Sequence, residues 1–262
     1  MTKRFSMRNK LLIIFGLLVL AAGTIEAFLA VRTARKAVTE KVDAHLIDKA
    51  ADVAEVIDGR VNAIFQFLEG LARMPVFRDT SLSYQEKTMH LMKEAAFNSR
   101  IHKMNICDMN GIRYADNGQK INVSDRDYFM SAAKGQNFVA EPVVSRLDGH
   151  FVLAFAVPVY DDSHTVISVL LATVEASALS NDIDDIVVGK TGYCYILGLT
   201  GTTIASKDFT EVEKMENAQE TVKTDSSFKS IAAFEKMAVE IDEPSIGFYE
   251  YGGVSKIASY AT

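Results

Sequence analysis

No excess of basic charge marks this chain. Its 28 Lys and Arg stand against 34 Asp and Glu, a formal net charge of −6, and no clustered basic face is visible that could neutralise phosphates. Nucleic acid is therefore not an expected partner, and the acidity reads as solubility. Cysteine is scarce. Cys107 and Cys194, the two present, sit in short apolar runs that read as strands. A disulfide between them stays open in an oxidising compartment, but spacing alone does not pair them, and two buried free thiols are the simpler reading. The five histidines, His45, His90, His102, His150 and His164, have no H-x-x-x-H or C-x-x-C neighbour, so no metal site is expected from spacing. Catalytic signatures are missing as well: there is no nucleophile elbow, no paired catalytic carboxylates and no dinucleotide fingerprint. Gly189-Lys190-Thr191 is similar to a phosphate-binding loop, but the required first glycine would fall at Asp184, and it reads as a turn. Asp182, Asp184 and Asp185 lack the glycine and distal glutamate of a calcium loop and read as a solvated helix face. No enzyme activity and no cofactor are expected.

What is present begins with an apolar run. Residues 11–31, Leu11 to Val31, carry one charge, Glu26, and have about the 20 residues a helix needs to cross a hydrocarbon core. Lys3, Arg4, Arg8 and Lys10 precede it and place residues 1–10 in the cytoplasm; Arg32, Arg35 and Lys36 follow it and oppose that bias. A cleaved signal peptide is the rival reading, but apolar character resumes at Ala27-Phe-Leu-Ala-Val31 and no clear A-x-A site follows. Beyond it, Val42, Leu46, Ala50, Val53, Ile57, Val61, Ile64, Leu68 and Leu71 recur in steps of three and four, the stripe of an amphipathic helix ended by Pro75. Unbroken from Val38 to Met74, that helix would be roughly 55 Å long. It reads as a stalk that pairs with a second copy, as a core helix, or as each on a different stretch. A second helix is expected over Ser83–Asn98, with Ser83 and Glu86 as a capping box.

The period then changes to two. His102 to Asp116 reads as strand, Asn-Gly turn, strand, and Tyr193 to Ser206 reads the same way; Ile106, Gly111 and Ala115 match Ile196, Gly201 and Ala205 at one constant offset. Two tandem modules follow, over residues 99–178 and 179–262, after the helical region 32–98. The first module continues with a short helix from Ser124 to near Gly135, then extended runs at Phe138–Arg146, Phe151–Tyr160 and Thr165–Val174. That predicts five antiparallel strands with helices on one face, an α+β arrangement. The second continues with helical patterns over Thr210–Ile241 and strands at Gly247–Tyr251 and Ser255–Ala261, one strand short of the first, so it is expected to be incomplete.

The run Ser124-Asp-Arg-Asp-Tyr-Phe129 before Ala-Ala-Lys-Gly135, with Glu-Pro-Val-Val-Ser-Arg146, Ala-Val-Pro-Val159 and Gly189-Lys-Thr-Gly-Tyr-Cys-Tyr-Ile-Leu197, resembles the double Cache sensor domain of methyl-accepting chemotaxis proteins. The resemblance spans nearly everything after residue 38. It implies two PAS-like modules outside the cytoplasm, the first membrane-distal and the second membrane-proximal, in a dimeric receptor of the inner membrane. It also implies a small-molecule ligand in the distal module, held at an Arg-x-Trp/Tyr-Tyr/Phe run that Arg126, Tyr128 and Phe129 match. Amino-acid-binding relatives carry an Asp on the last strand of that module, where this chain has Thr173. A neutral hydroxyl cannot offset a buried ammonium, so an organic acid without an amine is as well matched as an amino acid. The expected function is the extracytoplasmic sensing part of a chemotaxis receptor. Alternatives are the input of a histidine kinase or cyclic-dinucleotide enzyme, and a secreted solute-binding protein.

Overall fold

The computed structural model describes residues 6–262. Lys3 and Arg4, in the flank expected to be cytoplasmic, lie outside the described residues.

The apolar run and the amphipathic stripe are one helix, α1 (Met7–Ala72), 66 residues long and about 100 Å from end to end. Its most apolar 18-residue window has a mean hydropathy of 2.4 and buries nothing in the protein. Large apolar side chains from Leu11 through Val42 stay exposed, whereas Ile64, Leu68 and Leu71 are buried. The helix therefore has a bare half and a packed half, and the core-helix reading of the stripe holds on the packed one. Arg73 caps α1, and Pro75, which cannot donate a helix hydrogen bond, opens the short α2 (Pro75–Arg78) at its first position. In α3 (Tyr84–Ala95) the expected capping box is formed: Ser83 Oγ accepts from Glu86 N at 3.2 Å, and Glu86 Oε2 accepts from Ser83 N at 2.9 Å.

The first module contains β1 (Lys103–Cys107), β2 (Ile112–Tyr114), β3 (Lys120–Asn122), α4 (Asp127–Ala133), β4 (Phe138–Val139), β5 (Val143–Val144), β6 (Phe151–Tyr160) and β7 (Val166–Glu175). The sheet has seven strands rather than the expected five, in the order β3-β2-β1-β7-β6-β4, with β5 also on β6; the paired strands are antiparallel. Two differences account for the count. The run Phe138–Arg146 is broken where Pro142 removes a ladder donor, and β3 is too short to show alternation.

Period-two alternation gives the sheet two buried faces. Met104, Ile106, Leu153, Phe155, Val157, Leu170 and Ala172 face α1, α2 and α3, where Phe65 meets Phe155 edge to face at 5.3 Å. Cys107, Ala154, Ala156, Val169 and Leu171 face the opposite way, beneath α4.

The second module holds α5 (Ser177–Asn181), β8 (Val187–Val188), β9 (Gly192–Tyr193), β10 (Tyr195–Leu197), β11 (Thr203–Ser206), α6 (Phe209–Glu213), α7 (Ala218–Thr221), α8 (Lys229–Glu240), β12 (Ser245–Tyr251) and β13 (Val254–Tyr260). Its strands form three separate two-stranded ladders, β8-β9, β10-β11 and β12-β13. The internal repeat is real at the level of the turn. Gly111 N donates to Asp108 O and Asp108 N to Ile112 O, while Gly201 N donates to Gly198 O and Gly198 N to Thr202 O. Both glycines have positive φ, 78° and 79°, which a β-carbon would disfavour. Cys107 lies in β1 and Cys194 between β9 and β10, both as free thiols, the first buried and the second half-buried.

The modules dock in series along α1. The second meets it near Leu46, whose carbonyl accepts from Ser259 Oγ at 2.7 Å. At the junction Asp182 binds Arg60 of α1 at 2.6 Å and also Arg100 ahead of β1. The first module meets its C-terminal turns.

Candidate ligand-binding site

The candidate residues gather where α4 begins. After β3 the chain turns on Asn122, whose Oδ1 accepts from Ser124 N at 2.9 Å and Ser124 Oγ at 2.7 Å. Gly111 packs against that turn so closely that a β-carbon would sit 2.5 Å from Ser124 Cβ, so two loops far apart in sequence require the glycine between them. The turn ends at Arg126, extended at φ −89°, ψ 135°, which is the N-cap of α4. The helix thus opens three residues later than the expected Ser124. Tyr128, Phe129 and Ala132 then point down onto Ala154, Ala156, Val169 and Leu171. Alanine at two of those floor positions leaves the depth that two aromatic rings need.

Phe129, 5% exposed, is a packing residue of this second core. Tyr128 is buried too, but its hydroxyl end lies among charges. Burial raises its pKa, and Arg113, Arg126 and Arg146 each pull it back. Arg126 is half-buried. Its Nη2 reaches only the Val144 carbonyl, at 3.4 Å, and its Nε is buried without a hydrogen-bond partner among the described residues. A buried guanidinium donor left unpaired costs on the order of 1–3 kcal/mol. Thr173 lies on β7 between Lys103 of β1 and Ala154 of β6, 2% exposed, on the same sheet face as Leu171 and therefore beneath α4. Its hydroxyl makes one long bond, 3.4 Å to the Lys103 carbonyl. The structure thus places all four expected residues on one side of one sheet. Arg126 and Tyr128 stand together on the first turn, Phe129 sits in the core, and Thr173 lies in the floor.

Sequence reading missed the charges around them. Arg113 of β2 is 3% exposed, with Nε 2.9 Å and Nη2 2.5 Å from Asn105 Oδ1; burial lowers its pKa, while Asp148 favours its charge. Arg146 grips exposed Asp125 with two bonds of 2.6 and 2.7 Å, which hold that carboxyl at about 2. Burial would raise Asp148, yet hydrogen bonds from Lys103, Ser145 and His102 keep it well below the usual carboxylate range. One signal was available. Arg113 falls at an inward position of an alternating strand, where charge is rare.

Two hollows lie elsewhere. A groove of about 510 Å³ runs between the end of α1 and the β6–β7 turn, lined by Glu69, Arg73, Arg78, Gly135, Tyr160 and His164 among others. A hollow of about 160 Å³ in the second module is lined by Tyr193, Tyr195, Tyr249, Tyr251, Glu235 and Lys256 among others. Neither includes Arg126 or Thr173.

Comparison with known proteins agrees with this architecture. A family profile described as a Cache domain matches residues 30–262. The sensory domain of the Campylobacter jejuni chemoreceptor Tlp3 with isoleucine bound superposes with a TM-score of 0.61 at 12% identity, over 85% of this chain and 88% of that one. The ligand-binding domain of the Pseudomonas fluorescens chemoreceptor CtaA in complex with L-isoleucine gives 0.64 at 15% identity, over 86% and 87%. The extracellular domain of the putative histidine kinase mmHK1S-Z2 gives 0.64 at 13% identity, over 83% and 91%. At such identities the likeness is one of fold. No curated protein matches the chain in sequence.

Proposed function

The chain belongs to the Cache domain family, whose members are sensory ligand-binding modules, and on that premise we propose that it is the extracytoplasmic sensing part of a chemotaxis receptor of the inner membrane. Residues 11–31 of α1 are its membrane anchor, the first module is distal to the bilayer and binds a small carboxylate-bearing solute, and no chemistry is done on that solute. The observation that carries the ligand class is the unpartnered Arg126 Nε beside the Tyr128 ring. A guanidinium presents a planar fork that matches a carboxylate with two hydrogen bonds, and a solute carboxylate would supply the partner that Arg126 lacks. Tyr128 excludes water from the pair, Phe129 braces the helix turn that carries both, and Thr173 offers a neutral hydroxyl from the floor. That neutrality favours an acid without an ammonium group.

Binding can alter signalling only through different affinities for two arrangements of the receptor. In this reading the solute favours one packing of the first module against α1, and a paired second α1 transmits the difference towards the membrane. The fold shared with a histidine kinase extracellular domain supports a second reading, in which the same sensing part drives a kinase. The test of the site is the same for both. A thermal-shift screen of small mono- and dicarboxylates, followed by titration calorimetry on the full chain in detergent, should find a ligand whose affinity falls at least tenfold in Arg126→Ala. Unchanged affinity in that variant for every ligand found removes the proposed site.

A further inference from the structure

A second polar cluster closes one end of the first module's sheet. In the β1-β7 ladder Lys103 faces Thr173, and His102 N donates to the Thr173 carbonyl at 2.8 Å; in the β6-β7 ladder Val152 faces Glu175. That register sets His102, at the entrance to β1, beside Glu175, the last residue of β7, and beside His150, which immediately precedes β6. Asp148, in the turn before β6, folds back over them. The two imidazoles stack with centroids 4.5 Å apart and planes 26° from parallel. Both turn Nδ1 to the same oxygen, Glu175 Oε1, at 2.8 Å for His150 and 3.2 Å for His102. His102 Nε2 lies 3.1 Å from Asp148 Oδ2. Ligand atoms of His102, Asp148 and His150 all lie within 4.8 Å of one another.

If both rings donate Nδ1–H to Glu175, each neutral imidazole keeps a lone pair on Nε2. For His102 that lone pair would face a carboxylate oxygen 3.1 Å away, a spacing that either a proton on Nε2 or a bound cation bridges. A proton on each ring would place two imidazolium ions face to face at 4.5 Å. One dication serves both rings at once, and the carboxylates of Asp148 and Glu175 balance its charge. A carboxylate that fixes the tautomer of a ligating histidine through Nδ1 is the usual second support of such sites. Two imidazoles and a carboxylate suit zinc, whose bonds of about 2.0–2.2 Å would draw together donor atoms that now lie within 4.8 Å of one another and turn the stacked rings towards a common point. The side chains are 17% to 49% exposed, so an ion can enter and water can take a fourth position. Lys103, 2.9 Å from Asp148 Oδ2, is the cation that would have to yield.

We propose that His102, Asp148 and His150 form a site for a zinc-class divalent cation, with Glu175 orienting both rings. The site stands independently of the Arg126 reading. Zinc titration of chelator-stripped full chain in detergent should show one saturable site. Cobalt(II) in its place should give the visible absorption of imidazole coordination. His150→Ala and Asp148→Asn should each weaken zinc binding at least tenfold while leaving the circular dichroism spectrum unchanged, and Arg126→Ala and His90→Ala should bind zinc as the parent does. The absence of saturable binding, or parental affinity in both His150→Ala and the double variant His102→Gln/His150→Ala, overturns the proposal.

Discussion

Glu235 on α8 shows how one side chain sets a pH response. It is 4% exposed, and burial, with Glu211 and Glu216 nearby, pushes its carboxyl up to about 7 although the Tyr195 hydroxyl beside it favours ionisation. The folded form then keeps a proton that the unfolded chain has released above its ordinary value of 4.5. Stability from this group is fully present below about pH 4.5, falls as pH rises towards 7 and is absent above it, a change on the order of 3 kcal/mol. Glu235→Gln should be more stable than the parent at pH 8 and should lose the difference in melting temperature between pH 5 and pH 8 that this group causes. An identical pH profile in the variant would remove Glu235 as the source. Sequence reading did not single out Glu235, because nothing local marks a carboxylate that distant tyrosines enclose. Arg126 and Tyr128 were singled out because they lie in one local run, Ser124 to Phe129, that resembles a family motif. Arg113, Asn105 and Asp148 were not, since they meet only through the pairing of β1 and β2 and the fold of the turn before β6. The His102–Asp148–His150 cluster escaped spacing rules for the same reason: its members come from the segments before β1 and before β6, which meet only because both strands pair with β7.

Among the elements, those with a strong local period were readable and those set by tertiary contact were not. The α3 capping box, the two glycine turns, β6 and β7 stand where alternation and cap residues place them. The stripe on α1 is equally faithful from Leu46 to Leu71, and its buried end carries weight. Leu68 is fully buried against the sheet, and Leu68→Ala should cost about 3 kcal/mol from lost burial and the cavity left behind. Val42→Ala, on the exposed half, should change stability by less than about 0.5 kcal/mol. Melting of both variants checks the contrast, and equal losses would contradict the division of α1 into bare and packed halves. The continuity of α1 was less legible. The charges at Arg32, Arg35 and Lys36 look like the border of an apolar run, yet none of them breaks a helix. The division of the expected fourth strand depends on Pro142, and β3 holds its three residues only because β2 is there to pair with them.

At the scale of the whole molecule, two modules with matching turns hang in series from one helix, and only the first assembles its strands into a broad sheet. The Asp182 bridge to Arg60 and Arg100 ties the junction to α1, so a shift in the first module has a direct mechanical connection to the rod. Among the described residues, α1 runs from Met7 to Ala72 with no joint, and a jointless helix carries torsion as faithfully as it carries thrust. Its two ends are therefore locked in angular phase. Inserting one alanine after Arg35 should turn the apolar end by about 100° relative to the modules, whereas seven should bring it back to within about 20°. Cysteines placed along the exposed half should change their crosslinking partners after the single insertion and regain them after the sevenfold one; a pattern indifferent to both would mean that the rod slips.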